Sequence, residues 1–146
     1  MLIIIAGAGR VGIGLARNLR SENRDVVLLD NSANSVKSAQ NIDALVLHGD
    51  AMDREKLKMA GIHSANVFIA ATGSDERNLL TCAMARHEHA RNGNSDEKLL
   101  TICRVSDPDI VKESKSGLLR EWSGVDHSVL PIEGSINRLK TGLRVT

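Results

Sequence analysis

The sequence predicts an α/β fold built on a doubly wound, six-stranded, mostly parallel sheet with helices on both faces. Three observations predict it. Short aliphatic runs alternate with stretches of helical apolar spacing along all 146 residues. Those runs are continuously apolar rather than alternating, as expected of strands buried on both faces. Aromatics are nearly absent, with Phe68, Trp122 and no Tyr, so Ile, Val, Leu, Ala and Met must build the core.

The chain has one domain's worth of residues. Hydrophobic residues make up 42% and charged residues 25%, a soluble, globular composition. A formal net charge of +1 gives no electrostatic case for nucleic-acid or membrane-surface binding. No apolar stretch reaches the length of a membrane span. Met1 to Ala6 has no preceding positive charge and reads as a first strand rather than a signal peptide. Cys82 and Cys103 show no metal or redox spacing and read as free thiols.

Each element follows in order. Leu2 to Ala6 is a buried strand ending in glycines. Arg10 to Ser21 carries Val11, Leu15 and Leu19 at helical spacing. Asp25 to Asp30 (DVVLLD) is a second strand, and Ser32 to Asn41 a short helix with Ser32 as N-cap. Ala44 to Leu47 is a third strand. Asp53 caps a helix to Met59, with Glu55 in its first turn and Gly61 closing it. Lys56 at the third position rules out a capping box. Asn66 to Ala71 is a fourth strand. Asp75 to Arg91 is the longest helix, with Leu79, Leu80, Ala83 and Met84 assigned to its inner side. A polar loop, Asn92 to Glu97, precedes a fifth strand, Leu99 to Val105. Asp107 and Pro108 open a helix to Lys115. His127 to Leu130 is a sixth strand. After Pro131, Ile132, Ile136, Leu139 and Leu143 form an amphipathic stripe weakened by Gly134 and Gly142.

Gly7-Ala8-Gly9-Arg10-Val11-Gly12 is a G-x-G-x-x-G sequence between the first strand and its helix, which makes the fold Rossmann-like. There Gly7 allows the tight turn, Gly9 the approach of a pyrophosphate, and Gly12 close helix–strand packing. The helix N-terminus and Arg10 supply positive charge to phosphates. Asp30 ends the second strand 18 residues beyond Gly12, where a carboxylate accepts ribose hydroxyls and repels a 2′-phosphate. The site therefore favours NAD, or an adenine nucleotide with an unmodified ribose, over NADP. Asp50 and Ala51 follow the third strand, where they either edge an adenine or simply make the turn. Thr72 and Gly73 follow the fourth strand toward the second phosphate, with Ser74 or Asp75 capping the long helix. Arg104, near the end of the fifth strand, is placed for a ligand phosphate, a partner subunit or a surface ion pair. His87 and His89 point to nearly opposite sides of their helix, cannot share a metal there and read as solvated. No P-loop ending and no G-x-S-x-G elbow occurs.

With these residues assembled, the chain resembles the N-terminal lobe of the RCK/KTN family, in particular its Trk-type potassium uptake regulators. The segments that carry the resemblance are IIIAGAGRVG (Ile3 to Gly12), VVLLD (Val26 to Asp30), HGDAMD (His48 to Asp53), FIAATGSDERNLL (Phe68 to Leu80) and LTICRV (Leu100 to Val105). It covers residues 1 to 131. The combination of GRVG, GDA and ATGSDE-x-N is far more specific than the glycine motif. The resemblance implies a ligand set of Gly7, Gly9, Arg10, Val11, Asp30, Asp50, Ala51, Thr72, Gly73 and Arg104, with Asn31 beside the ribose carboxylate. It implies NAD or NADH, and in some members ATP or ADP, as ligand. It further implies a cytoplasmic regulatory subunit that gates a membrane potassium transporter, in dimers that assemble into a ring.

Family members usually continue into a crossover helix and a second, smaller lobe, which these 146 residues do not contain. Residues 132–146 are expected to form an amphipathic helix, a candidate dimer crossover, that folds back or pairs with another chain. Three function classes follow. The first is a nucleotide-dependent gating module. The second is an oxidoreductase, which would need a substrate site and proton donor that no His, Lys or Tyr here is placed to supply. The third is a dinucleotide-binding scaffold within an efflux or other cation transporter. No catalytic or metal residue is assigned, and the expectation is that the chain is not an enzyme.

Overall fold

A computed structural model describes residues 1–91, 97–115 and 126–129. The element order is β1 (Leu2–Ala6), α1 (Arg10–Ser21), β2 (Asp25–Asp30), α2 (Ala33–Ser38), β3 (Leu45–His48) and α3 (Arg54–Ala60). A short 3₁₀ turn (Ile62–Ser64) leads to β4 (Val67–Ala70), α4 (Asp75–Arg91), β5 (Leu100–Arg104), α5 (Pro108–Lys115) and β6 (His127–Val129). The sheet order is β3-β2-β1-β4-β5-β6, and every strand pair is parallel. This is the expected doubly wound Rossmann-type sheet.

The two faces explain the unbroken aliphatic runs. Along β1, Ile3 and Ile5 point into a cluster with Leu15, Ala16 and Leu19 of α1 and with Ala39 after α2. Ile4 and Ala6 point the other way, into a cluster with Leu57 and Ala60 of α3 and Leu79, Cys82 and Ala85 of α4. A strand alternates its side chains, so covering both faces makes every position apolar. Phe68 is fully buried in the second cluster.

Local signals act as read. Ser32 Oγ accepts the Ser35 amide at 3.3 Å, and Asp53 Oδ1 accepts the Glu55 amide at 2.9 Å. Gly61 closes α3 in the left-handed region. Helix α2 is shorter than expected and has no buried residue.

Helix α4 corrects two assignments. Leu80 is 49% exposed, whereas Asn78, Leu79, Cys82, Ala85, Glu88 and His89 face inward. At about 100° per residue the inward arc centres on Asn78, Cys82, Ala85 and His89 with Leu79 at its margin, and Leu80 falls on the opposite side of the helix. His89, expected in solvent, is buried beside Glu88. Glu88 accepts from Arg54 Nε at 2.9 Å and faces His63 Nε2 at 3.2 Å. These bonds tie α4 to α3 and to the 3₁₀ turn. Burial pushes the Glu88 carboxyl up, but its hydrogen bonds with Arg54 and His63 hold it below the usual range. The loop segment 92–96 and the amphipathic segment expected after Pro131 lie outside the described residues.

Candidate functional site

Because all strands run parallel, their carboxyl ends share one edge of the sheet. Loops after β1, β2, β3, β4 and β5 meet there around a groove of about 500 Å³. Such an edge, at the point where strand order reverses on either side of β1, is where open α/β sheets bind ligands.

The glycine loop forms the floor. Gly7 has φ +115°, and a Cβ there would come within 2.9 Å of the Ala71 backbone. A Cβ at Gly12 would lie 1.7 Å from the Gly7 carbonyl oxygen, so α1 crosses β1 at a distance only glycine permits. Gly9 differs, because a Cβ there would meet nothing within 4 Å. Its backbone faces the groove. Gly9 is also the N-cap of α1 and offers no side-chain acceptor, so the first-turn amides are available to an anion. Gly7, Gly9, Arg10 and Val11 all line the groove.

The β2 end supplies the next wall. Asp30 Oδ2 accepts the Ala8 amide at 2.7 Å, and Oδ1 accepts the Ser32 amide at 2.8 Å. The carboxylate thus fixes the glycine loop and its own turn while lining the groove with Asn31 and Ser35. His48 Nε2 lies 3.1 Å from the Asn31 carbonyl oxygen, joining the β2 and β3 loops. After β3, Gly49 and Ala51 line the groove. The Asp50 carboxylate turns aside instead, accepting from the Met52 amide at 2.9 Å and from the Arg77 guanidinium. Partial burial pushes the Asp50 carboxyl up, but the Arg77 hydrogen bond, the Met52 amide and the Arg77 charge together hold it below the usual range.

The β4 loop is held by Asn78. This fully buried side chain accepts from the Thr72 amide at 3.0 Å and from the Thr72 hydroxyl. It donates to the carbonyls of Thr72 at 2.9 Å and Arg104 at 2.8 Å. Asn78 therefore sets the spacing between the β4 and β5 ends. Ser74 is the residue that caps α4, its hydroxyl accepting the Arg77 amide at 3.2 Å. Asp75 instead reaches the loop after β5, accepting from the amides of Ser106 at 2.7 Å and Asp107 at 2.9 Å. Arg104 donates to the Thr72 carbonyl at 3.2 Å. Its Nε is buried without a hydrogen-bond partner among the described residues, and the side chain lines the groove with Thr72 and Gly73. The charge that the Arg104 guanidinium brings to the groove wall suits an anionic ligand.

The fold therefore gathers most of the residues singled out from sequence into one groove. Gly12 lies beneath the loop instead, and Asp50 stands at the rim. Sequence reading missed Ser35, Arg77 and Asn78. Asn78 lay in the quoted ATGSDE-x-N pattern without an assigned task, and Arg77 occupied its variable position. Among the described residues no group of three His, Cys, Asp or Glu is placed to hold a metal ion. No helix among them is long and apolar enough to cross a membrane. Burial pushes the Cys82 thiol well up, and neighbouring Cys103 adds to the shift.

A family model described as the TrkA-N domain matches residues 3–131. The chain is 39% identical over 132 residues to the Trk system potassium uptake protein TrkA homolog of Methanothermobacter thermautotrophicus, covering 90% of this chain and 55% of that protein. It is 39% identical over 109 residues to the corresponding protein of Pyrococcus horikoshii, covering 74% of this chain and 45% of that one. The chain spans about half the length of these relatives. Among solved structures, the GsuK channel bound to NAD matches with a TM-score of 0.69 at 26% identity, over 98% of this chain and 23% of that chain. The TrkA-N domain of inner membrane protein ybaL from Escherichia coli has the same fold. Its TM-score is 0.72 at 21% identity, over 97% of this chain and 94% of that chain.

Proposed function

This chain belongs to the TrkA-N domain family, and from that premise we propose that it is a nucleotide-sensing regulatory domain that binds NAD or NADH and gates a membrane potassium transporter. The observation that carries the reading is the Asp30 carboxylate, which anchors the glycine loop and lines the groove beside it. That arrangement suits an adenosine ribose next to a pyrophosphate. Gly7, Gly9, Arg10 and Val11 would hold the phosphates, and Asp30 and Asn31 the ribose. Ala51, with Asp50 at the rim, would edge the adenine. Thr72, Gly73 and Arg104 would face the second sugar and phosphate. ATP and ADP share the adenosine and phosphate groups and fit the same residues.

A regulatory role agrees with the groove's chemistry. Among the described residues no His, Lys, Tyr or Cys lines it. Relatives named as potassium uptake proteins and a neighbour named as a channel bound to NAD support the transport context. Gating follows if a nucleotide binds two arrangements of the domain with different affinity. The domain would act as a homodimer or larger ring at the cytoplasmic face, with a transporter subunit as partner. Isothermal titration with NAD, NADH, NADP, ATP and ADP tests the reading. Binding of NAD or NADH that excludes NADP supports it, and absence of binding by every nucleotide refutes it.

A further inference from the structure

Arg77 lines the groove from the first turn of α4, yet its guanidinium donates to Asp50, beyond the end of β3. The two residues belong to segments that the sheet keeps apart, since β2 and β1 lie between β3 and β4. The Met52 amide orients the Asp50 carboxylate from within its own turn, whereas Arg77 reaches it on a long, rotatable side chain.

Among the described residues three arginines line the groove, Arg10, Arg77 and Arg104, against the single carboxylate of Asp30. Both Asp30 oxygens already accept backbone amides. The lining is thus strongly cationic, and Asp50 offsets part of that charge from the rim. The Arg77 and Asp50 side chains are 33% and 41% exposed, and ion pairs this open to water contribute little net stability. A phosphate group offers a guanidinium two oxygens in a parallel, bidentate geometry, which a rim carboxylate already committed to an amide matches poorly.

We infer that Arg77 is a specificity-determining anion contact of this groove, and that Asp50 is the internal carboxylate with which a ligand phosphate competes for it. The inference rests on the nucleotide-binding reading above. Helix α1 and helix α4 pack on opposite faces of the sheet, so Arg77 approaches the ligand from the wall opposite the glycine loop. The ligand class is therefore a nucleotide with a phosphate beyond the one at the N-terminus of α1, such as a nucleoside diphosphate or triphosphate. Exchange of Asp50 for phosphate also unties the β3 loop from α4, which gives the ligand a route to altered packing on that face.

The test is calorimetric titration of the intact chain with AMP and ADP at fixed ionic strength, for wild type, Arg77→Gln, Arg77→Lys and Asp50→Asn. Thermal unfolding checks that each variant is folded. Arg77→Gln is expected to weaken ADP about tenfold and AMP little, and Arg77→Lys to recover part of the loss. Asp50→Asn is expected to tighten ADP relative to AMP, because the competitor has lost its charge. An unchanged ADP-to-AMP affinity ratio in Arg77→Gln, or a ratio shifted toward AMP by Asp50→Asn, overturns the inference while nucleotide binding by wild type stands. A wild type that binds neither nucleotide, nor NAD, overturns the function reading and this inference together. Should Arg77→Gln fail to fold, the direction of the Asp50→Asn change decides.

Discussion

The Ala8 amide donates to Asp30 Oδ2 at 2.7 Å, so the glycine loop after β1 is anchored by the residue that ends β2. Asp30 Oδ1 holds the Ser32 amide in the same way. Each carboxylate oxygen retains a lone pair, which leaves capacity for ribose hydroxyls. Asp30→Asn would turn an NH₂ group against one of the two backbone amides. We expect it to lower stability by about 1–2 kcal/mol and NAD affinity by at least about tenfold. Thermal unfolding and titration read the two effects separately. A variant with wild-type melting and wild-type affinity would remove Asp30 from both roles.

Two glycines of one motif should respond in opposite ways. Gly12→Ala places a methyl 1.7 Å from the Gly7 carbonyl oxygen, an overlap that neither backbone can relieve locally. A loss of about 3 kcal/mol or more is expected, at or beyond the usual range for overpacking, and denaturant titration measures it. Gly9→Ala meets no protein atom within 4 Å. It should melt like wild type while losing nucleotide binding, because its methyl occupies groove space. Destabilisation by Gly9→Ala and tolerance of Gly12→Ala would reverse this account of the loop.

Asn78→Ala removes four hydrogen bonds from a fully buried position. The carbonyls of Thr72 and Arg104 would lose the donor that bridges them. A loss of about 2–4 kcal/mol is expected. Proton exchange at the Thr72 amide should quicken, and hydrogen-exchange mass spectrometry over β4 and the start of α4 would register it. Unchanged protection there would show that the β4 and β5 ends are held by other means.

Glu88 gives the fold an acid limit. Its carboxyl sits below the usual range because the Arg54 and His63 hydrogen bonds outweigh burial, with the charges of Arg54 and Arg91 adding to them. A group with a depressed folded pKa contributes stability above its unfolded pKa and loses it as pH falls through the folded value. Melting temperature should therefore drop below about pH 5, more steeply in wild type than in Glu88→Gln. The variant should also melt lower at neutral pH. Parallel acid limbs for the two proteins would assign the loss to other carboxylates.

Much of the fold was legible because buried parallel strands are aliphatic and helices such as α2 and α3 begin with side chains suited to capping, Ser32 and Asp53. The glycine loop and Asp30 were legible because backbone sterics and ribose chemistry constrain those positions tightly. Residues that act across the sheet were less so. Asn78 and Glu88 look like surface positions on a helix until α4 is rotated into place against β5 and α3. The Asp50 and Arg77 side chains meet only because α3 and α4 share a face, a relation that no local spacing encodes. The same rotation puts Leu80 in solvent although it follows buried Leu79.

Strand β1 is paired on one side by β2 and on the other by β4. During synthesis the chain emerges from its N-terminal end, so β2 arrives soon after β1. The second edge of β1 stays unpaired until Val67–Ala70 has left the ribosome. An uncovered edge of isoleucines is a template for wrong pairing. The Gly7 loop also closes against Ala71, and the Ala71 amide donates to the Ala6 carbonyl at 2.8 Å. The glycine loop is accordingly completed only once β4 has paired with β1, and a nascent chain halted before β4 would carry the whole glycine motif without a finished turn to hold it.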